Sequence, residues 1–168
     1  MKTIKRRRKE NKTDYAKRFR LLKSEKPRIV FRKTNTQIIA QYVTSKETQD
    51  KIEIGVSSKA LLKYGWPEEF AGSLKSLTAS YLTGLLLGEK IISAKKQMPI
   101  VDFGMARNVH KSNAFAFLKG LVDSGLKIKH EEKTFPDEGR IRGVYLKKDF
   151  SKNLDKIKSN IEKEFHNG

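Results

Sequence analysis

The sequence predicts a mixed α/β fold, and three observations support that prediction. β-rich segments at 27–33, 37–43 and 51–56 are separated by short polar turns, the pattern of an antiparallel meander. A further apolar segment at 98–103 lies between two segments with helical spacing, which indicates a fourth strand and helices packed on the sheet. A strongly basic segment precedes the first strand, and an amphipathic helical pattern ends the sequence. We expect a basic arm with a short helix in 1–26, an α/β body in 27–148 and a C-terminal helix in 149–168.

Small polar residues mark the starts of the predicted helices, because their side chains accept hydrogen bonds from free backbone N–H groups. In the longest helix Gly84 and Gly88 lie four residues apart and share a face, where we expect them to let the helix approach the sheet closely. A final amphipathic helix is predicted from about Ser151, and it could dock on the body or on a neighbour. The helices of the body are expected from Ser57 or Ser58 to Gly65, from Ser73 to about Lys95, and from Ser112 or Asn113 to Gly125.

The charge of the chain indicates a polyanionic partner. There are 37 Lys and Arg against 19 Asp and Glu, a net charge of +18. Residues 1–33 hold 15 of the cations and 3 of the anions, so one fifth of the chain carries two thirds of the excess charge. Nucleic acid is the natural partner, because each phosphate that Lys or Arg neutralises releases condensed counterions. No membrane association is expected, since the sequence has neither a lipidation motif nor a basic helix with a strong apolar face.

The basic arm divides into two parts. Residues 1–12 contain almost nothing to bury and should be disordered when alone in water. Thr13 or Asp14 can then cap a short helix to about Lys23, with Phe19 and Leu22 offering a narrow apolar contact. A solvated charged surface is the alternative interpretation, but the arm repels itself and we expect it to have no acidic partner in the same chain.

The first two strands predict a polar sheet face. Alternation places Arg28 and Arg32 on one face of the first strand and Ile29 and Phe31 on the other. Gln37 and Gln41 share a face of the second strand, and Arg and Gln side chains suit phosphate, ribose and base-edge contacts. An ordinary half-solvated antiparallel sheet would show the same alternation.

The sequence offers no catalytic chemistry, and we expect neither an enzyme, nor a cofactor, nor a metal site. It has no cysteine, which excludes disulfides and thiol catalysis. Asp102-Phe103-Gly104 spells a kinase metal-binding tripeptide, but the other kinase motifs are missing. His110, His130 and His166 are scattered without metal-ligand spacing. Two rival classes are a free-standing RNA- or DNA-binding regulator and a nuclease, and the nuclease would need clustered acidic metal ligands.

A series of short motifs, in order from about residue 5 to 145, resembles the archaeal-type members of the ribosomal protein L-eighteen family of the large subunit. Phe103 departs from the aliphatic residue expected there, and the segment after about residue 150 is less well covered. The motifs are Arg6 to Tyr15 with Arg18, Lys26-Pro27-Arg28, Arg32-Lys33 with Asn35, Ile39-Ala40-Gln41, Lys63-Tyr64-Gly65-Trp66, Ser80 to Leu85, Leu118-Lys119-Gly120 with Gly125-Leu126, and Arg140 to Gly143.

This resemblance implies a non-catalytic protein of the cytoplasmic ribosome. It implies binding to 5S ribosomal RNA, attachment of that RNA to the large-subunit ribosomal RNA in the central protuberance, and contact with neighbours that include the ribosomal protein L-five family. Homo-oligomers are not expected. By family analogy the arm and the polar sheet face contact RNA, through Lys5, Arg6, Arg7, Arg8, Lys9, Lys12, Tyr15, Arg18, Arg20, Arg28, Arg32, Lys33, Asn35, Gln37 and Gln41.

Overall fold

The computed structural model describes residues 3–47, 49–144 and 150–166, and it confirms the mixed α/β fold. Four strands form one sheet in the order β3-β2-β1-β4. The first three pair antiparallel as the predicted meander, and β4 extends the sheet parallel to β1. The strands are β1 (Arg28–Lys33), β2 (Ile38–Lys46), β3 (Gln49–Ser57) and β4 (Ile100–Asp102).

Helices lie before, within and after the sheet. The basic arm contains one helical turn and one short helix, and the body and C-terminal segment contain the longer ones. Three 3-10 segments, Ser58–Tyr64, Glu68–Ser73 and Glu132–Thr134, link these elements. The helices are α1 (Arg6–Lys9), α2 (Tyr15–Lys23), α3 (Leu77–Ser93), α4 (Asn113–Asp123), α5 (Glu138–Arg142) and α6 (Ser151–His166).

Several predicted boundaries were displaced: β2 and β3 are longer than the predicted segments 37–43 and 51–56, and α3 and β4 differ for local reasons. The long helix α3 starts after Ser76, whose Oγ accepts a hydrogen bond from the N–H of Ala79 at 3.2 Å, whereas Ser73 ends a 3-10 segment and donates to the carbonyl of Phe70. Strand β4 is shorter than the predicted segment 98–103. It starts after Pro99, which has no N–H to donate, and it ends before Gly104, where a φ of +60° turns the chain.

One apolar core holds the described elements together. The inner sheet face supplies buried Ile29, Phe31 and Tyr42, and helices α3 and α4 pack against it. Helix α6 adds Leu154, Ile157 and Ile161 to the same core and packs on α3. Asn160 of α6 also donates a hydrogen bond to the carbonyl of Tyr64 at 2.9 Å. Of the two placements left open by the sequence, the C-terminal helix therefore docks on the body.

Glycines let α3 approach α4, and not the sheet as the sequence suggested. A Cβ on Gly84 would collide with the carbonyl oxygen of Phe117 and lie 3.3 Å from the backbone nitrogen of Leu121. A Cβ on Gly120 of α4 would collide in return with the carbonyl oxygen of Tyr81. Gly88 faces the side chain of Ser124. The expected close approach exists, but its partner is a helix, because helical spacing identifies a face without identifying what covers it.

No helix within the described ranges is long and apolar enough to cross a membrane.

Candidate nucleic-acid interface

The N-terminal arm presents an exposed run of cations. Lys5, Arg6, Arg7, Arg8, Lys9 and Lys12 are all exposed, and α1 buries none of its residues. Glu10 pairs with two of them, at 3.6 Å from Arg6 and 2.8 Å from Lys12. Arg7 donates to Thr13 Oγ1 at 2.9 Å, and the Lys5 ammonium lies 4.5 Å from the centre of the Tyr15 ring. These contacts are local, so they leave most of the positive charge facing outward.

The second part of the arm, α2, is capped by Asp14, one of the two candidates that the sequence left open. The Asp14 carboxylate accepts hydrogen bonds from the N–H groups of Ala16 and Lys17 at 3.0 and 3.2 Å. The apolar contact was assigned partly to the wrong residue, because Phe19 is 69 % exposed while Leu21 and Leu22 are both half-buried. Arg20 points into solvent beside Phe19.

Arg28 does not project into solvent with Arg32, and that expectation is wrong. Its side chain is 2 % exposed and bonds to Asp50 at 2.8 Å, Ser45 at 3.0 Å and Asp102 at 3.5 Å. A buried guanidinium is tolerated only when carboxylates and other acceptors surround it. Arg28 therefore organises the polar face from beneath rather than forming its outer surface.

The same two carboxylates position the accessible arginines. Arg18 donates to Asp50 at 2.8 Å, which ties α2 to the β2–β3 hairpin. Arg32 keeps 46 % of its side chain exposed while its guanidinium lies 3.6 Å from the Asp102 carboxylate. It also donates to the backbone carbonyls of Phe31 at 2.7 Å and of Asp102 at 3.2 Å. Arg18 and Arg32 are thus held in fixed orientations with donors still facing solvent.

This arrangement changes the pKa of the Asp50 carboxylate. Partial burial would raise its pKa, but hydrogen bonds from Ser45 and Arg18 and the charges of Arg28 and Arg18 outweigh that effect and lower the pKa below its ordinary value of 3.8. A carboxylate whose folded pKa is depressed stabilises the fold above its unfolded pKa, and the stabilisation disappears as pH falls through the folded pKa.

We therefore expect acid to release α2 from the sheet. Between pH 6 and pH 4 the amide hydrogen exchange of α2, corrected for intrinsic rates, should stay constant, and protection should fall only at lower pH. Asp50→Asn should show the weakened protection at every pH. Protection that is lost while Asp50 is still ionised, or that Asp50→Asn leaves unchanged, would contradict this account.

A small cationic cleft separates the arm from the outer part of the sheet. It has a volume of about 100 Å³ and faces Arg7, Lys12, Lys17, Arg18 and Arg32 together with Asp14 and Asp102. Lys17 bonds to the carbonyl of Gly104 at 3.1 Å, and Gly104 N–H donates to Asp102 at 2.7 Å. Glycine suits position 104 because its φ of +60° is one that other residues rarely adopt, and an added Cβ would displace the Arg32 guanidinium, whose carbon would lie 2.7 Å away. The excess of cations favours an anion at the mouth of this cleft.

The turn between β1 and β2 continues the polar surface. Lys33 and Asn35 are exposed, and Gln37 is half-buried. The turn is held by Thr34, whose N–H and hydroxyl both donate to the carbonyl of Gln37 at 2.8 Å. Lys33 ends the strand that carries Arg32, and the fixed turn presents Asn35 beside it.

Gln41 lies in the middle of the polar face beside a gap. It stands opposite Val30 on one side and Gly55 on the other. A Cβ on Gly55 would have its nearest neighbour, Ile52 Cγ2, 4.0 Å away, so the space above Gly55 is open. A glycine in a strand interior is typical of a place where a ligand approaches the backbone.

Arg32→Ala and Gln41→Ala should weaken RNA binding without unfolding the domain. Loss of Arg32 removes charge-assisted hydrogen bonds and should cost about 1.5–3 kcal/mol of binding free energy. Loss of Gln41 should cost nearer about 1 kcal/mol. Binding titrations paired with thermal melts test this, with Arg142→Ala on α5 as the control for a remote exposed arginine. Unchanged affinity with a lower melting temperature would assign both side chains to packing.

Several residues of this surface escaped the sequence reasoning. Asp50 and Asp102 each look like isolated acids in the sequence and meet at Arg28 only in the fold. Neither Lys17 nor Gly55 belongs to a sequence pattern that predicts its place at this surface. A buried ion pair leaves one signal in the sequence, which is a basic residue in a strand between apolar neighbours.

An exposed cationic arm fastened over a polar sheet face is typical of a protein that binds a polyanion. Residues 1–100 match the family model described as ribosomal large subunit proteins 60S L5 and 50S L18. The chain belongs to this family of large-subunit ribosomal proteins.

Archaeal relatives named large ribosomal subunit protein uL18 resemble the chain over most of its length. The Korarchaeum cryptofilum protein is 41% identical over 160 residues, covering 95% of this chain and 79% of its own. The Methanothrix thermoacetophila protein is 41% identical over 142 residues, covering 84% and 82%. The Methanoregula boonei protein is 38% identical over 165 residues, covering 95% and 92%. Members of this family are structural proteins of the cytoplasmic ribosome, so the expectation that the chain is not an enzyme is confirmed.

Proposed function

We propose that this chain is a structural component of the large ribosomal subunit that binds 5S ribosomal RNA and helps attach it to the large-subunit ribosomal RNA in the central protuberance. The exposed arm held over a polar sheet face is the observation that carries the proposal. It gives two kinds of contact, phosphate neutralisation by the arm and shape recognition by the sheet.

The proposed RNA-binding residues fall into two groups, one for each kind of contact. Cations of α1 and α2 follow phosphates, which gives affinity with little sequence preference. Arg32 and Gln41 lie on a sheet that the core holds rigid, so they favour one RNA shape over others. Tyr15 begins α2, with Lys5 over its ring. Of the residues proposed from the sequence, Arg28 acts indirectly, by holding Asp50 and Asp102 in place.

Protein partners are part of the same proposal. A protein that attaches one RNA to another meets neighbouring ribosomal proteins, and the L-five family is the partner that the family resemblance implies. The exposed face of α6 carries none of the proposed RNA contacts and leaves room for such neighbours.

The test is a pull-down of the full chain from cells of its own source, followed by sequencing of the bound RNA. We expect 5S ribosomal RNA to be the most enriched species and the protein to co-sediment with large subunits at moderate salt. Enrichment of messenger RNA without co-sedimentation would instead support a free-standing RNA-binding regulator. Equal affinity for 5S RNA and transfer RNA in a purified titration would contradict shape recognition by the sheet.

A further inference from the structure

A groove of about 590 Å³ runs along the outer side of β4. One wall is the segment 98–103, the opposite wall is the segment 127–131, and Phe115 and Leu118 of α4 form the floor. β4 is the outer strand of the sheet over the ranges that the structure describes. The groove therefore occupies the position of a fifth strand, which would lie about 4.8 Å beyond β4.

The backbone of β4 offers hydrogen-bonding groups to this groove. Ile100 N–H donates to the carbonyl of Pro27 at 2.8 Å, so Ile100 faces β1. In a parallel pair the residues that bond to the neighbour alternate with residues that point away from it. Val101 therefore directs its N–H and its carbonyl oxygen toward the groove, where another strand can bond to both.

The side chains around the groove combine an apolar floor with a basic rim. Val101, Phe103 and Ile128 are half-buried and present apolar surface, and Met98 is 41 % exposed. Exposed lysines stand along the rim at positions 26, 127 and 129, against a single exposed carboxylate at Glu131. An apolar floor beneath an excess of cations complements a strand whose apolar side chains alternate with acidic ones.

We propose that this groove binds an extended segment of a partner protein, with alternating apolar and acidic side chains, as a fifth strand beside β4. The apolar side chains rest on Phe103, Phe115 and Ile128, and the acidic ones meet the lysines of the rim. Main-chain hydrogen bonds to Val101 supply affinity, and the rim supplies the preference for acidic partners. This inference is independent of the proposed RNA contacts.

A peptide fits the groove better than RNA does. Phe103 packs edge-on against Phe31 with ring centres 5.9 Å apart, and it also contacts Phe115 at 6.1 Å. These rings are engaged with each other, whereas base stacking needs free ring faces. The outward carbonyl of Val101 accepts a hydrogen bond from a peptide N–H but repels a phosphate oxygen.

The test is titration of the isotope-labelled full chain with the peptide acetyl-Val-Glu-Val-Glu-Val-Glu-Val-amide, followed by amide chemical shifts. We expect shifts confined to 98–103, 127–131 and the adjoining residues of α4. A peptide with Lys in place of each Glu should bind at least about fivefold more weakly, since several rim contacts reverse sign. Methylation of alternate backbone nitrogens of the Glu peptide should abolish the shifts, because it removes the main-chain donors.

Two charge variants distinguish the effect of the rim lysines from the effect of overall charge. Lys127→Glu with Lys129→Glu should weaken binding of the Glu peptide about fivefold, whereas Lys152→Glu with Lys156→Glu on α6 makes the same charge change and should leave it unaltered. Equal binding of the Glu and Lys peptides, no shifts at millimolar peptide, or tighter binding of a seven-residue oligouridylate to the same amides would each overturn the proposal.

Discussion

Deleting residues 1–12 should weaken RNA binding by about 100- to 1000-fold near 100 mM salt while leaving the body folded. The segment holds seven Lys and Arg, and its described residues from 3 onward are all exposed. The apolar core includes none of them, so their removal takes away charge without packing. If every one of the seven neutralises a phosphate, the slope of log affinity against log salt should fall by about 5 to 6.

Titrations of the full and truncated chains over a range of salt concentrations measure this loss, with thermal melts to follow the fold. The matched control keeps residues 1–12 but permutes their order, which preserves the charge and removes the local contacts of Arg7 with Thr13 and of Lys5 with Tyr15. Recovery of most of the affinity would identify charge as the main contribution of the arm. A truncated chain that unfolds, or that binds RNA as tightly as the full chain, would show that the role assigned to the arm is wrong.

Gly84→Ala should lower the stability of the protein by about 2–3 kcal/mol even though alanine is the better helix former. Intrinsic propensity alone favours alanine by roughly 1 kcal/mol. Against this gain, the added Cβ would lie 3.1 Å from the Phe117 carbonyl carbon and closer still to its oxygen. Backbone cannot rotate away as a side chain can, so α3 and α4 must separate along their whole contact.

Thermal unfolding without RNA distinguishes the effects at different glycines. Gly120→Ala should resemble Gly84→Ala, because its Cβ also meets backbone, at Leu85 N as well as at Tyr81. Gly88→Ala should cost less, since it meets the Ser124 side chain. Gly72→Ala is the control, with no heavy atom within 4 Å of the added Cβ. If Gly84→Ala melted as high as the Gly72→Ala control, the close helix–helix contact would be refuted.

Sequence patterns predicted the strands and the helix ends because these features are caused by residues close together in the chain. The three strands of the meander follow from β-rich runs between polar turns. The ends of the 3-10 segment at Tyr64 and of α4 at Asp123 follow from Gly65 and Gly125, each with φ close to +100°. The N-cap of α2 at Asp14 is of the same kind. Each of these features depends on residues within a few positions of one another.

The errors concern contacts between distant parts of the chain. Alternation placed Arg28 on the correct face, but its burial depends on Asp50 and Asp102, which lie 22 and 74 residues away. The spacing of Gly84 and Gly88 identified one face of α3, but not that α4 covers it. The RNA contacts themselves stay predictions, since charge and exposure determine where RNA can bind and not which nucleotides it presents.

The ion pair between Arg18 and Asp50 affects how a salt titration should be interpreted. Both side chains are about one third exposed, at 35% and 32%, so dissolved ions screen their attraction. Rising salt therefore loosens α2 from the sheet as well as displacing the arm from phosphate, and an unfastened α2 must lose conformational freedom again when it binds. The slope of log affinity against log salt for the intact protein is consequently steeper than its phosphate contacts alone would give. The difference in this slope between the full and truncated chains is free of the contribution from α2, because both chains retain α2 and its ion pair.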